Sequence, residues 1–168
     1  AIRYPRGQAY RGLKEFQAPV RYGKGELLYE GQEIALLAVG SMVSTAEHVR
    51  EKLMEEGIFC TLANGRFIKP IDQELVEELA SRHKLVVTLE ENVRRGGYGL
   101  EVTACIHQCH PETHVLNIAL PDAYVEHGNV SLLRESLGID SKSVIRKIKE
   151  VIREKGLNIP VGEAVGTR

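Results

Sequence analysis

Short apolar segments alternate with amphipathic segments along the chain. The run EIALLAVG, residues 33–40, is almost wholly apolar and ends in glycine, which is typical of a strand buried on both faces of a sheet. Residues 58–68, 85–89 and 115–120 have the same character. Between them, apolar residues recur every three or four positions, which indicates helices that pack along one side. Strands and helices in alternation predict an α/β fold with a parallel sheet.

Capping signals predict where the helices begin and end. The sequence Ser44-Thr45-Ala46-Glu47 forms a capping box and predicts that the first helix begins there, while Gly57 predicts its end. Asp72 and Asp140 predict the caps of two later helices. These signals agree with the apolar periodicity, so the helix assignments have two independent supports.

The remaining elements complete a three-layer arrangement. A helix is expected after the glycine-rich loop 96–99 as far as about His107, and a shorter one at 130–137. Residues 27–30 predict a short edge strand of either direction. We therefore expect an α/β/α sandwich whose mostly parallel sheet has about five strands.

The 168 residues predict one domain flanked by two irregular ends. Residues 1–25 lack periodicity and carry six basic side chains against one acidic, a net charge of +5, so they predict a basic linker from a preceding domain. The domain itself is expected at 26–156 and a tail at 157–168. The chain begins at Ala1 instead of methionine, which suggests a piece excised from a longer protein.

Composition narrows the classes of function. With 43% hydrophobic and 27% charged residues the chain is expected to fold, and a net charge of −1 argues against a dedicated nucleic-acid or membrane surface. No apolar run reaches the 18 or so residues of a membrane helix. Three cysteines, an odd number, fit a reducing compartment, so a cytoplasmic location is expected.

Two arginines near the N-terminus are candidates for binding an anion. Arg3 and Arg6 flank Pro5, whose fixed backbone lets two guanidinium groups converge on one phosphate or carboxylate. The alternative is that a basic linker crosses an acidic surface of its own protein. The residues alone leave both open.

Charged and flexible residues follow the predicted strands at their carboxyl ends, where α/β sheets bind ligands and partners. Two acids and one histidine, Glu90, Glu91 and His127, have side chains that could transfer protons. The alternative is that they form salt bridges, turn contacts or a subunit interface. The edge also holds Asn64, Arg66, Lys69, Asp72, Gly96 and Gly97.

Cysteine and histidine residues cluster between positions 105 and 114. Cys105 and Cys109 lie one helical turn apart, but no second pair has the spacing of a zinc site. A helix face with small cysteines explains the pattern as well. No metal site is predicted.

Four ordered motifs carry a resemblance to a known family. IRYPRG at 2–7, NGRFIKPID at 64–72, VTLEENVRRGGYG at 87–99 and LPDAYVEHG at 120–128 closely resemble, in order and spacing, the C-terminal domain of the 1-deoxy-D-xylulose-5-phosphate synthase family. The resemblance extends to about Lys149 and implies a transketolase C-terminal-domain fold. Gly65 and Ile71 depart from the family's usual NARFVKPLD.

The resemblance implies an activity and its cofactors. Members of that family convert pyruvate and glyceraldehyde 3-phosphate into 1-deoxy-D-xylulose 5-phosphate and CO2 with thiamine diphosphate and Mg²⁺, for isoprenoid, thiamine and pyridoxal synthesis. Their Gly-Asp-Gly metal motif and activating glutamate have no counterpart in these 168 residues. The fragment is therefore expected to bind neither group and to be inactive alone.

The resemblance also assigns roles to residues. It implies that Arg3, with Arg6 close by, binds the substrate phosphate, and it gives no residue here a part in bond making. Other domains of the same enzyme and a second copy in a homodimer are the expected partners. Structural or interface positions are implied for Asn64, Arg66, Lys69, Asp72, Glu91, Gly96, Gly97 and His127.

Two alternatives to this assignment remain. One is the equivalent domain of a transketolase or of a 2-oxoacid dehydrogenase beta subunit, which differ in the acceptor they use. The other is a free-standing, non-catalytic interaction domain with its own partner.

Overall fold

A five-stranded sheet organises the part of the chain that the computed structural model describes, residues 10–16 and 18–159. The strands are β1 (Glu26–Tyr29), β2 (Glu33–Ala38), β3 (Thr61–Asn64), β4 (His83–Val93) and β5 (His114–Leu120). The helices are α1 (Met42–Glu55), α2 (Gln73–Arg82), α3 (Tyr98–Cys109), α4 (Val130–Leu137) and α5 (Ser141–Glu154).

The sheet order is β1-β3-β2-β4-β5. Strands β2 to β5 run parallel, and β1 is antiparallel to β3 at one edge. Strand β2 lies at the centre, where Leu36 is opposite Leu62 of β3 and Val87 of β4. The predicted α/β class with a mostly parallel sheet of about five strands is confirmed.

Each face of the sheet has its own hydrophobic core. Leu36 and Ala38 of β2 belong to the core on the side of α1 and α5, whereas Ala35 and Leu37 belong to the core on the side of α2 and α3. All four side chains are fully buried. Because strand side chains alternate between faces, an unbroken apolar run is what a strand covered on both sides requires. The structure thus has the three expected layers.

Several element boundaries differ from the sequence prediction, and β3 covers only Thr61–Asn64 of the expected strand 58–68. Helix α1 begins at Met42, not at Ser44, because Ser44 Oγ donates to the carbonyl of Ser41 and the carboxylate of Glu47 accepts from Tyr10. The predicted capping box is therefore not formed. Strand β4 runs on to Val93, beyond the predicted 85–89, because Val93 pairs with Leu120 after an irregularity in the ladder.

Residues 10–16 lie along β1 and α1. Phe16 packs edge-on against Tyr29 with ring centroids 5.0 Å apart, and the Tyr29 hydroxyl donates to Glu15 at 2.6 Å. The Arg50 guanidinium lies 4.0 Å from the centroid of the same ring. These contacts attach the N-terminal segment to the sheet edge. The proposed boundary at residue 25 stays a prediction.

Candidate functional site

The last residues of β3 and β4 and the loops that follow β3, β4 and β5 lie together at one end of the parallel sheet, and we call residues 64–72, 90–99 and 121–129 the carboxyl edge. All eight residues expected in structural or interface positions lie at this edge, seven of them in the first two ranges and His127 in the last. The edge is therefore where the geometry of a site must be sought.

Arg66 holds the segment before β1 against the carboxyl edge. Its backbone is left-handed, with φ of 54°, and its amide donates to Asn64 Oδ1 at 3.0 Å. Its guanidinium pairs with Glu26 and donates to the carbonyl of Ala18 at 3.3 Å. Because the Arg66 and Glu26 side chains are only 14% and 12% exposed, this ion pair is largely desolvated, and loss of one partner would leave a buried charge.

Gly65 makes room for a buried tyrosine. A β-carbon at Gly65 would lie 2.4 Å from the Tyr98 hydroxyl and 2.9 Å from Val39 Cγ1, distances that real contacts do not reach. Tyr98 is 2% exposed, and burial raises the pKa of its hydroxyl well above the usual value. The absence of a side chain at Gly65 thus lets this ring lie close to the β3 loop.

Asp72 joins three parts of the edge. Its Oδ1 accepts from the amide of Leu75 at 3.4 Å, which caps α2 as predicted. Its Oδ2 accepts from the amide of Gly25 at 2.9 Å, and Lys24 Nζ lies 3.2 Å from Oδ1. Lys69, which lies three residues after Arg66 and directly before Pro70, is exposed. Through Asp72, the loop after β3 therefore fixes both the start of α2 and the position of residues 24 and 25 before β1.

The glycine-rich loop after β4 is closed by the protein's own carboxylate. Glu90 is 3% exposed and accepts from the amides of Tyr98 at 3.0 Å and Gly99 at 2.8 Å, at the N-terminus of α3. A β-carbon at Gly97 would lie 2.6 Å from the Glu90 carboxylate, and Gly96 has a φ of 66°. The amides that would bind a phosphate in a helix-terminus site are already used. Of the two roles considered for Glu90, the structure supports the turn contact.

Glu91 connects three elements above the sheet. Its carboxylate accepts from Ser41 Oγ at 2.5 Å and from Arg134 Nε at 3.0 Å, so it joins the start of α1 to α4. Helix α4 has no buried residue. The ion pair between Glu91 and Arg134, together with half-buried Leu137 packed against the core, fixes the position of α4 over the carboxyl edge.

The loop 121–129 is exposed along its whole length. Tyr124 is as exposed as a side chain can be, at 107% of the reference area. His127 is exposed and makes no hydrogen bond or ion pair with the described residues. Sequence reasoning singled out His127 but not Tyr124, although an aromatic residue between Asp122 and Glu126 is visible in the sequence.

A groove of about 760 Å³ lies between the β3 and β4 loops, and we call it the edge groove. Ile68 and Leu100 form its apolar sides, and the glycines of the β4 loop form part of its wall. Lys24, Lys69, Asp72, Glu74 and Glu101 supply charged groups around it. A groove of this volume can take a side chain or a small ligand.

Several predicted features lie elsewhere. Arg3 and Arg6 fall outside the described residues. Cys105 and Cys109 lie on α3, where Cys109 Sγ donates to the Cys105 carbonyl at 3.2 Å. Over 10–16 and 18–159 there is no group of three or more His, Cys, Asp or Glu side chains placed to hold a metal ion. The same residues contain no helix that is both long and apolar enough to span a membrane.

The family follows from sequence and fold together. Residues 23–144 match the family model for the transketolase C-terminal domain, and the chain belongs to that family. A structure titled "Split gene transketolase, inactive beta4 tetramer" superposes with a TM-score of 0.76 at 28% identity, over 81% of this chain and 44% of that one. The transketolase of Campylobacter jejuni shares the fold at a TM-score of 0.54 and 19% identity, over 76% of this chain and 18% of its own.

Within that family the chain is similar to 1-deoxy-D-xylulose-5-phosphate synthases. It is 48% identical to the synthase of Lachnoclostridium phytofermentans over 159 residues, which are 94% of this chain and 25% of the relative. It is 40% identical to that of Alkaliphilus oremlandii over 89% of this chain and 24% of the relative. The chain thus spans about a quarter of the length of these relatives. The resemblance inferred from the four motifs is confirmed.

Proposed function

We propose that this chain acts as the C-terminal domain of a 1-deoxy-D-xylulose-5-phosphate synthase in the cytoplasm. The enzyme would join pyruvate and glyceraldehyde 3-phosphate, with release of CO2, for isoprenoid and thiamine synthesis. The observation that carries the proposal is 48% identity over 94% of the chain to one such synthase. The domain's own tasks would be dimer packing and one wall of the site that binds the acceptor phosphate.

The described residues do not fit thiamine diphosphate. The glycine-rich loop 96–99 presents amides at the N-terminus of α3, but Glu90 already accepts hydrogen bonds from two of them. The negative charge of the Glu90 carboxylate would also repel a diphosphate group placed at this loop. The cofactor and Mg²⁺ would therefore be bound by other domains of the enzyme, and the isolated chain would be inactive.

Arg3 is the residue through which this chain would touch substrate. A guanidinium binds a phosphate with two charge-assisted hydrogen bonds, and Arg6 would lie close by. Arg3 would bind the phosphate group of glyceraldehyde 3-phosphate, a group that pyruvate lacks. Its loss should therefore affect the two substrates unequally.

The test uses a chimera in which this chain replaces the matching quarter of the Lachnoclostridium phytofermentans synthase. Arg3→Ala should raise the KM for glyceraldehyde 3-phosphate about 10- to 100-fold, since a hydrogen bond to a charged group contributes roughly 1.5–3 kcal/mol. The KM for pyruvate should change less than about threefold, within the cost of a surface substitution. Arg11→Ala, in the same basic segment, is the matched control.

The outcomes separate the alternatives. An equal effect on both substrates would remove the phosphate role from Arg3. An inactive chimera that is folded and binds the cofactor would argue against the synthase assignment. In that case assays with a sugar phosphate or a lipoyl domain as acceptor would test the transketolase and 2-oxoacid dehydrogenase alternatives.

A further inference from the structure

Residues 10–16, which we call the anchor segment, are attached to the domain by apolar and polar contacts. Leu13 and Phe16 pack against the core on the side of α1 and α5. The ring of Phe16 meets Tyr29 of β1 edge-on, and the Tyr29 hydroxyl donates to Glu15 at 2.6 Å. Linkers between domains are usually exposed and make few contacts, so an attachment of this kind needs an explanation.

A buried acid on α1 sets the register of the anchor segment. Glu47 is only 8% exposed, and its carboxylate accepts a hydrogen bond from the Tyr10 hydroxyl. A buried carboxylate without a donor is costly, so the segment is most stable when Tyr10 lies at this position. The hydrogen bond to Glu47 raises the pKa of Tyr10 to about 12, so the hydroxyl keeps its proton and donates throughout the neutral range. A shift of the segment by one residue would remove this donor.

The backbone of the anchor segment has a conformation that few residues adopt. Leu13 has a φ of 56°, in the left-handed region that is unfavourable for a residue with a bulky side chain. The amide of Phe16 donates to the Leu13 carbonyl at 3.1 Å, which closes a turn. Strained residues persist where the surrounding structure determines their conformation, and they cluster at functional sites. The contacts of the anchor segment therefore impose a specific shape on it.

The anchor segment follows the two arginines that are candidates for binding the phosphate. Tyr10 is seven positions after Arg3 and four positions after Arg6. An extended chain spans at most about 3.6 Å per residue, so Arg3 can lie no further than about 25 Å from Tyr10, and Arg6 no further than about 14 Å. A fixed Tyr10 thus limits where the two guanidinium groups can bind an anion.

We propose that Tyr10 and Glu47 are positioning residues for the acceptor phosphate. Their hydrogen bond fixes the anchor segment on α1 and thereby the place at which Arg3 binds glyceraldehyde 3-phosphate. The proposal rests on the proposed function, because it takes Arg3 as the residue that binds that phosphate. Tyr10 and Glu47 act through Arg3 and have no contact of their own with substrate.

A simple tether between two domains would not need a buried acid. Leu13 and Phe16 already supply apolar contacts that attach the segment. Replacing a buried polar pair by apolar residues is often neutral or stabilising, so stability alone does not explain Glu47. What the pair adds is a fixed register. A fixed register matters where a residue further along the chain must be placed accurately.

The first test is steady-state kinetics of the chimera described above with Tyr10→Phe. The substitution keeps the half-exposed ring and removes the hydroxyl that donates to Glu47. The KM for glyceraldehyde 3-phosphate should rise about 10-fold, since a misplacement of about 1 Å can cost up to about 100-fold and the apolar contacts of the segment remain. The kcat and the KM for pyruvate should change less than about threefold. Tyr22→Phe is the matched control, because Tyr22 is 81% exposed and contacts Phe67 through its ring.

Two substitutions of Glu47 separate positioning from stability. Glu47→Gln keeps an oxygen that can accept from Tyr10, so the KM for glyceraldehyde 3-phosphate should stay within about threefold of the parent value. Glu47→Leu removes the acceptor and fills the buried position with an apolar side chain. Its KM should rise about 10-fold while the urea midpoint stays equal or increases. A KM that rises only in variants with a lower urea midpoint would overturn the proposal.

The double variant Arg3→Ala, Tyr10→Phe tests whether Tyr10 acts through Arg3. If it does, Tyr10→Phe should change the KM for glyceraldehyde 3-phosphate less than about threefold once Arg3 is absent, because coupled residues are not additive. An effect of about 10-fold in the Arg3→Ala background would overturn the proposal. An unchanged KM in the single variant Tyr10→Phe would do the same.

The positioning role and the proposed function fail on different results. Equal effects of Arg3→Ala on both substrates, or a folded chimera without activity, would remove the phosphate role and its positioning together. A selective effect of Arg3→Ala without an effect of Tyr10→Phe or Glu47→Leu would overturn the positioning role alone.

Discussion

The buried carboxylate of Glu90 gives the most direct test of how the carboxyl edge is built. Glu90→Gln keeps the shape of the side chain and removes its charge. The glutamine oxygen can accept from Gly99 or from Tyr98, whose amides lie 2.8 and 3.0 Å from the two carboxylate oxygens, but not from both through one atom. The side-chain NH2 would then face a buried N–H, donor against donor.

The magnitude follows from these two contacts. Replacing a charged acceptor by a neutral one costs about 1 kcal/mol, and a buried amide without a partner costs roughly 1–3 kcal/mol. The lost negative charge at the helix N-terminus adds up to about 1 kcal/mol. Because Glu90 is 3% exposed, solvent cannot replace the missing acceptor. We expect the free energy of unfolding to fall by about 3 kcal/mol.

The assay is urea unfolding followed by circular dichroism. With a slope of about 2 kcal/mol per molar urea for a domain of this size, the midpoint should fall by about 1.5 M. Glu101→Gln is the matched control, because Glu101 is an exposed acid in the first turn of the same helix. Its effect should stay within about 0.5 kcal/mol. If the two variants are equally stable, the reasoning about the buried carboxylate is refuted.

Two further predictions concern stability. His83 is buried, and burial lowers its pKa below 6.5. The unfolded chain therefore binds a proton to this ring more readily than the folded chain does. The free energy of unfolding should be highest above about pH 6.5 and should fall as the pH drops below it. His83→Phe should flatten that pH dependence between pH 7 and 5 in urea titrations, whereas His107→Gln, on an exposed site, should leave the slope unchanged. Asp72→Ala should lower the free energy of unfolding by about 2 kcal/mol, because the α2 cap and the hydrogen bond to the Gly25 amide are both lost. Hydrogen exchange at the Gly25 amide should become faster. An unchanged exchange rate at Gly25 would contradict the role given to that hydrogen bond.

Local patterns in the sequence predict the layers of this fold well. The apolar run in β2 and the cap at Asp72 depend on neighbouring residues, and both predictions agree with the structure. The predicted start of α1 is wrong because the Glu47 carboxylate accepts a hydrogen bond from Tyr10, which is 37 positions away in the chain, and so does not cap the helix. A local motif cannot reveal such competition.

The site was predictable in outline only. Strand ends indicated that the charged residues would share one edge, but not which of them would turn inward. Glu90 and Glu91 are adjacent in sequence, yet one caps α3 from within the protein while the other binds Arg134 near the surface. The signal for Glu90 was available in the glycines after it, since Gly97 has no room for a side chain. Arg66 also depends on a long-range partner, Glu26.

The central place of β2 bears on how the chain is made. Its neighbours β3 and β4 come later in the sequence. Ile34 of β2 pairs with Leu85 of β4, which is 51 positions further on, so this pair can form only after Leu85 has been synthesised. At about 5–20 residues per second, a ribosome needs roughly 3–10 s to add that stretch. Throughout that time an apolar strand meant for the middle of a sheet has no partner on one side. Newly made chains should therefore be most prone to chaperone binding before β4 emerges.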